Sequence, residues 1–175
     1  IILAVIVVLQ IMVVSCYLIF EKEGYHSDEV WSYGLANSFY EPFIYGDTLS
    51  QDVSKCHKWV DGSDFLHYLT VQKGEQFRYD SVWYNQSIDM HPPLYFTLLH
   101  TISSFFPDTF SKWFGYVINI AAMAVGQVFL YKLGKTASKS KVFGLLLCVM
   151  WCAHAPLFPC GCFRNSCLLL LLLPF

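Results

Sequence analysis

Residues 1–20 read IILAVIVVLQIMVVSCYLIF, and Gln10 and Ser15 are the only clearly polar side chains among them. A helix rises about 1.5 Å per residue, so this stretch spans about 30 Å, the thickness of the hydrocarbon core of a bilayer. A buried strand rarely exceeds about ten residues, and the apolar region of a cleaved signal peptide is usually shorter than this run. We therefore predict a transmembrane helix over residues 1–20.

The composition of the whole chain agrees with a membrane protein. Only 14% of the 175 residues are charged and 55% are hydrophobic, whereas soluble domains carry about 25% charged residues. The net charge of −2 also argues against a nucleic-acid-binding protein, which would carry a basic surface. These values exclude an ordinary cytosolic enzyme and a disordered chain.

The two signs of charge occupy different segments, and this predicts an orientation. Twelve of the thirteen acidic residues lie within residues 21–89, and every charged residue after Asp108 is basic. Residues 132–141 contain four lysines and no acid, which is typical of a cytoplasmic segment. The acidic segment is then extracytoplasmic. The protein is predicted to be a multi-pass protein of the cell membrane.

Three further apolar stretches follow, over residues 92–106, 113–131 and 142–158. Asn119 and Gln127 in the second stretch are expected to face other helices rather than lipid. An odd number of crossings must separate the acidic segment from the lysine-rich one. We therefore expect the short 92–106 stretch to lie at the interface or to re-enter the membrane.

Residues 21–91 form a large outer loop, too small for an independent domain without help. Short helices are predicted over residues 30–39, with Ser27 or Asp28 as the N-cap, and over residues 63–73. The predicted fold is an all-α integral membrane protein with juxtamembrane helices in this first extracytoplasmic loop.

Two short motifs in the outer loop carry chemistry. The first is His26-Ser27-Asp28-Glu29 and the second is Asp89-Met90-His91-Pro92-Pro93-Leu94-Tyr95. Each is compatible with a plain helix start surrounded by solvated polar groups. Alternatively, the carboxylates of the first motif act as a general base or hold a divalent cation with His26. The two prolines of the second motif would fix Asp89 and His91 at the start of a helix.

Together, a first membrane helix, an Asp-Glu pair directly after it and an HPPLY motif resemble the GT-C glycosyltransferases. The nearest likeness is to the bacterial family related to protein O-mannosyltransferases and to the aminoarabinose and Rgt-type transferases. It extends over roughly residues 1–150. It implies a partial GT-C helical bundle that transfers a sugar from a polyprenyl-phosphate carrier to an acceptor on the extracytoplasmic face.

The resemblance also implies roles for individual residues. Asp28 corresponds to the catalytic carboxylate, with Glu29 beside it. His91, Asp89, Tyr95 and His26 would contact the substrates, and in some relatives a lysine stands in place of His91 and contacts the carrier phosphate. Asp89 would orient His91 or, with Asp28, hold a divalent cation. The expected partners are the lipid-linked donor, the bilayer and an acceptor, and not a nucleic acid.

The likeness ends near residue 147, after which five of the seven cysteines and a run of leucines follow. Residues 159–175 are interpreted as an aberrant tail, read out of frame or truncated, and the chain is expected to be inactive alone. The alternative is a non-catalytic multi-span membrane protein or a transporter fragment.

Overall fold

The computed structural model describes residues 1–20, 22–44, 61–89 and 91–154. Within these ranges the chain forms seven α-helices and no strand, which confirms the all-α prediction for this part of the protein. The helices are α1 (Ile2–Phe20), α2 (Ser27–Asn37), α3 (Gly62–Leu69), α4 (Tyr79–Ile88), α5 (Pro93–Ser104), α6 (Lys112–Ser138) and α7 (Lys141–His154). The predicted tail over residues 159–175 lies outside the described residues.

The chain divides into two compact units. One, here called the apolar unit, consists of Ile1–Gly24 and the chain from Asn119 onward, and the other, here called the loop unit, is Tyr25–Ile118. Two of the described helices, α1 and α6, are long and apolar enough to cross a membrane. Helix α5 has only 12 residues and belongs to the loop unit.

In the apolar unit, α6 and α7 approach each other closely at two glycines. A Cβ atom on Gly144 would lie 2.8 Å from the carbonyl oxygen of Tyr131, and one on Gly134 would lie 3.0 Å from the Gly144 Cα. Only hydrogen fits between the two backbones here, as at the small-residue contacts of membrane helices. The lysine-rich segment over residues 132–141 is mostly helical, because α6 continues to Ser138.

A polar cluster joins α1, α6 and α7 inside the apolar unit. Gln127 is buried and its Nε2 donates to Gln10 Oε1 at 2.6 Å, and the thiol of Cys152 lies 3.2 Å from the same oxygen. The expectation that Gln127 faces other helices is confirmed. One polar atom of each carboxamide is thereby paired inside the apolar bundle, while Gln10 Nε2 and Gln127 Oε1 are buried without a hydrogen-bond partner.

The loop unit is held together by polar side chains as much as by apolar ones. Its apolar core includes Leu35, Val71, Val82 and Leu99. The last carbonyl groups of a helix have no partner within the helix; at the end of α2 two side chains from other helices compensate, and a side chain of α2 does the same for α3. Asn85 donates to the Leu35 and Ser38 carbonyls, His100 donates to the Ala36 carbonyl, and Asn37 donates to the Leu69 carbonyl at the end of α3.

Several predicted helix limits need correction. Helix α2 begins at Ser27 rather than at residue 30, and its N-cap is His26 rather than Ser27 or Asp28. Helix α3 ends at Leu69, four residues before the predicted end. Helix α4 was not predicted, because its buried residues are mostly polar and give no apolar stripe.

Candidate functional site

The first turn of α2 holds the predicted catalytic pair in a capping box. The backbone N–H of Asp28 donates to His26 Nδ1 at 3.2 Å, and the backbone N–H of His26 donates to Glu29 Oε2 at 3.2 Å. Two backbone donors at the helix start are thereby satisfied by side chains. Glu29 thus caps the start of α2 through its side chain.

The Asp28 carboxylate points outward from this capped turn. Its side chain is 72% exposed, and Oδ2 lies 3.6 Å from His26 Nδ1. That nitrogen is the acceptor of the hydrogen bond from the Asp28 N–H. The carboxylate is therefore open to solvent on a turn whose backbone is fixed by the capping box.

The second motif forms a pair of its own at the start of α5. Asp89 caps the end of α4, and its Oδ2 lies 2.7 Å from His91 Nδ1. A carboxylate only accepts hydrogen bonds, so His91 Nδ1 is the donor and Nε2 is the nitrogen left for another group. The Asp89 side chain is 19% exposed and that of His91 49%. The geometry agrees with Asp89 as the residue that orients His91.

Tyr95, predicted to bind substrate, is buried rather than exposed. Its hydroxyl packs against Gly115 in the first turn of α6, where an added Cβ would lie 2.9 Å from it. Burial raises the pKa of Tyr95, and the nearby Tyr33 and the charge of Glu29 raise it further. Tyr95 therefore connects α5 with the first turn of α6.

Tyr33 is a residue of this region that the motifs did not reveal. Its hydroxyl donates to the Ser111 carbonyl at 2.6 Å and accepts from the Gly115 N–H at 3.0 Å. Burial raises the pKa of Tyr33 to about 12, so the hydroxyl stays protonated and keeps its donor role. The only sequence signal was one aromatic residue among many in the loop.

The predicted site residues therefore occur in small groups. His26, Asp28 and Glu29 share the cap of α2, Asp89 pairs with His91, and Tyr95 packs against Gly115. Within the described ranges, no three His, Cys, Asp or Glu side chains are gathered as ligands for a metal ion. The expected divalent cation at Asp28 and Asp89 stays a prediction.

Comparisons of the chain with protein family models, with curated proteins and with solved structures find no match. The resemblance to the glycosyltransferases consequently depends on the motifs themselves.

Proposed function

We propose that the chain is a multi-span membrane protein with an extracytoplasmic loop unit, and that it takes part in transfer of a sugar from a polyprenyl-phosphate donor to an acceptor. The observation that carries this proposal is the exposed Asp28 carboxylate, held on a rigid capped turn. A fixed carboxylate at the membrane surface suits a reaction between a lipid-linked donor and an external acceptor. The two long apolar helices and the segregated charges support the membrane location.

In the proposed reaction, Asp28 acts as the general base. It takes the proton from an acceptor hydroxyl while that oxygen forms a bond to the anomeric carbon of the donor sugar. The bond between the anomeric carbon and the phosphate oxygen breaks, and the electron pair leaves with the polyprenyl phosphate. The capping box restrains the backbone of Asp28, which limits the geometric freedom that the reaction would otherwise have to remove.

His91 is proposed to contact the leaving phosphate. With Nδ1–H bonded to Asp89, the Nε2 atom is the one that can face a ligand, and in the protonated ring it is a donor to a phosphate oxygen. Donors aimed at developing negative charge are among the largest contributions to catalysis.

The test is an Asp28→Ala substitution in the native gene, with membrane insertion checked by fractionation. We expect transfer of labelled sugar from the polyprenyl-phosphate donor to fall by about 100-fold or more, the usual contribution of a general base. Asp64→Ala is the matched control, because Asp64 is also an exposed acid in the first turn of a helix, α3. Transfer that is unchanged in the Asp28 variant would favour the non-catalytic membrane protein instead.

A further inference from the structure

Two aromatic residues of the loop unit have unusual backbone conformations. Tyr40 has φ of 54° and Phe77 has φ of 59°, in the left-handed region that bulky residues rarely occupy. Such a residue persists only when its surroundings hold it in place.

Two buried serines hold the strained turns. The hydroxyl of Ser81 accepts from the Tyr40 N–H at 2.8 Å and donates to the Ser38 carbonyl at 3.0 Å. The hydroxyl of Ser104 accepts from the Phe77 N–H at 3.0 Å. The turn after α2 and the turn before α4 are thus fixed from inside the unit, while the aromatic rings remain at the surface.

The exposed rings form a platform, defined here as Phe39, Tyr40 and Tyr84 with the charged pair Arg78 and Asp80. The three rings are 39–42% exposed. The ring centroids lie 4.9 Å apart for Phe39 and Tyr40 and 5.1 Å apart for Tyr40 and Tyr84. The planes of neighbouring rings are inclined at 84° and 58°, so the rings touch in sequence and form an angled surface rather than a flat one.

The charged pair lies directly against these rings. The guanidinium carbon of Arg78 is 4.9 Å from the centre of the Phe39 ring. Arg78 Nε and Nη2 donate to the two carboxylate oxygens of Asp80 at 2.9 and 2.7 Å, and the Tyr40 hydroxyl donates to Asp80 at 2.6 Å. Arg78, and then Tyr40, hold the pKa of Asp80 well below its usual range, so the carboxylate remains an ionised acceptor.

The chemistry of the platform selects a neutral, polyhydroxylated ligand. The two charges neutralise each other, which disfavours a phosphate or another charged group as the ligand. Arg78 has five N–H donors, of which two bonds to Asp80 use only part. Aromatic faces carry partial negative charge and attract the C–H hydrogens of a ligand that lies flat on them. A sugar ring has an apolar C–H face, which matches the aromatic rings, and hydroxyl groups at its edge, which match the Arg78–Asp80 pair.

We propose that this platform binds a neutral sugar ring. On the proposed function, which this assignment extends, the ring belongs to the acceptor glycan, and the platform is a binding surface separate from the Asp28 motif. Sugar sites commonly combine aromatic rings with a few fixed polar groups. The buried serines explain why the strained turns are retained, since they hold Tyr40 and the start of α4 together.

The test measures sugar binding by the whole chain in lipid nanodiscs, using saturation-transfer NMR with maltose, cellobiose and N,N′-diacetylchitobiose as probes. We expect at least one probe to bind, and Tyr84→Ala to raise its Kd roughly tenfold, as loss of one aromatic contact would. Tyr84→Phe keeps the ring and should bind within about twofold of the unsubstituted chain.

Trp83→Ala is the matched control, because Trp83 neighbours Tyr84 on α4, is more exposed, and makes none of the ring contacts of the platform. Equal loss in the Trp83 and Tyr84 variants, or no binding of any probe by the unsubstituted chain, overturns the proposal. Tyr84→Trp provides a second test. If brominated lipids quench its added fluorescence, the platform lies in the headgroup layer as part of an aromatic belt, and the sugar assignment is wrong.

Failure of the platform and failure of the proposed transferase can be told apart. Asp28→Ala should abolish transfer and leave the Kd of the bound sugar unchanged. If sugar binds but Asp28→Ala leaves transfer unaffected, the platform stands and the catalytic assignment falls. If transfer depends on Asp28 but no sugar binds the platform, only the platform is refuted.

Discussion

Replacement of Gly34 by alanine tests the packing that places α2 in the loop unit. A Cβ atom on Gly34 would overlap the Cε1, Cζ and hydroxyl atoms of the Tyr68 ring. Tyr68 is buried, and its hydroxyl donates to the Pro42 carbonyl at 3.0 Å. The obstructing atoms thus belong to a buried ring whose hydroxyl is hydrogen-bonded. They cannot move aside as the end of a flexible side chain would.

Two effects of opposite sign decide the size of the change. Alanine favours a helix interior over glycine by about 1 kcal/mol. Displacement of a buried aromatic ring costs about 3–5 kcal/mol, by analogy with its removal. The cost of displacing the ring is the larger of the two. We therefore expect the loop unit of the Gly34→Ala variant to lose about 2 kcal/mol or more of stability, which raises its opening equilibrium constant about 30-fold.

Native-state hydrogen exchange followed by mass spectrometry measures this change locally in the complete chain in detergent. Amides of α2 and α3 should exchange about 30-fold faster in Gly34→Ala, since 2 kcal/mol corresponds to that factor. Gly62→Ala is the control, because nothing lies within 4 Å of a Cβ at Gly62. In the double variant with Tyr68→Val, the cost of Gly34→Ala should largely disappear. Unchanged or slower exchange in Gly34→Ala alone would refute the packing.

Two further predictions concern buried polar groups. Burial lowers the pKa of His100 below its ordinary value of 6.5, so the unfolded chain binds a proton more readily than the folded one. The loop unit should therefore lose stability as the pH falls from 7 toward 5. His100→Gln should flatten the pH dependence of the unfolding midpoint of this unit. His67→Gln is the control, because His67 is exposed, and it should leave that dependence unchanged. In the apolar unit, Gln10→Leu and Gln127→Leu should show a coupling free energy of about 0.6–2 kcal/mol in a double-mutant cycle, measured by unfolding in mixed detergent. Additive effects would show that the 2.6 Å contact contributes nothing.

The sequence was most informative where one physical property dominates a long stretch. Twenty apolar residues at the start of the chain have a length that fits few structures, and α1 occupies nearly all of them. Helix α4 gave no such signal. Of its residues, Ser81, Asn85 and Gln86 are buried together with Val82, so the inward face is mainly polar and apolar periodicity does not reveal it.

The N-cap of α2 shows a different reason for error. Ser27 and Asp28 are common N-cap residues, and on frequency either was a reasonable choice. The glutamate at the third helical position marks the N-cap by its spacing, and counting back three residues from Glu29 reaches His26. A histidine nitrogen that accepts the Asp28 N–H performs the task of the usual hydroxyl. Spacing was the better guide here than residue type.

The partners that fix α2 in place could not be read from the chain, because they lie far away in sequence. Tyr33 reaches across 78 residues to Ser111, and Asn85 reaches back 50 residues to the Leu35 carbonyl. The Tyr33 contact holds the middle of α2, and the Asn85 contact holds its last turn. The short motif around Asp28 therefore contains none of the distant residues that fix α2 in place.

The position of Asp28 therefore depends on groups that carry no catalytic chemistry. Catalytic carboxylates act efficiently only when the surrounding structure fixes them within fractions of an ångström. In this loop unit the restraint comes from the histidine cap at the start of α2, from the Tyr33 hydroxyl on Ser111 and Gly115, and from the side chains that satisfy the α2 carbonyl groups. Helix α2 is hydrogen-bonded to distant parts of the chain in its middle, through Tyr33, and at its last turn. It is therefore better suited to present a reactive carboxylate than a helix secured by a single apolar face, which can slide or rotate on its support.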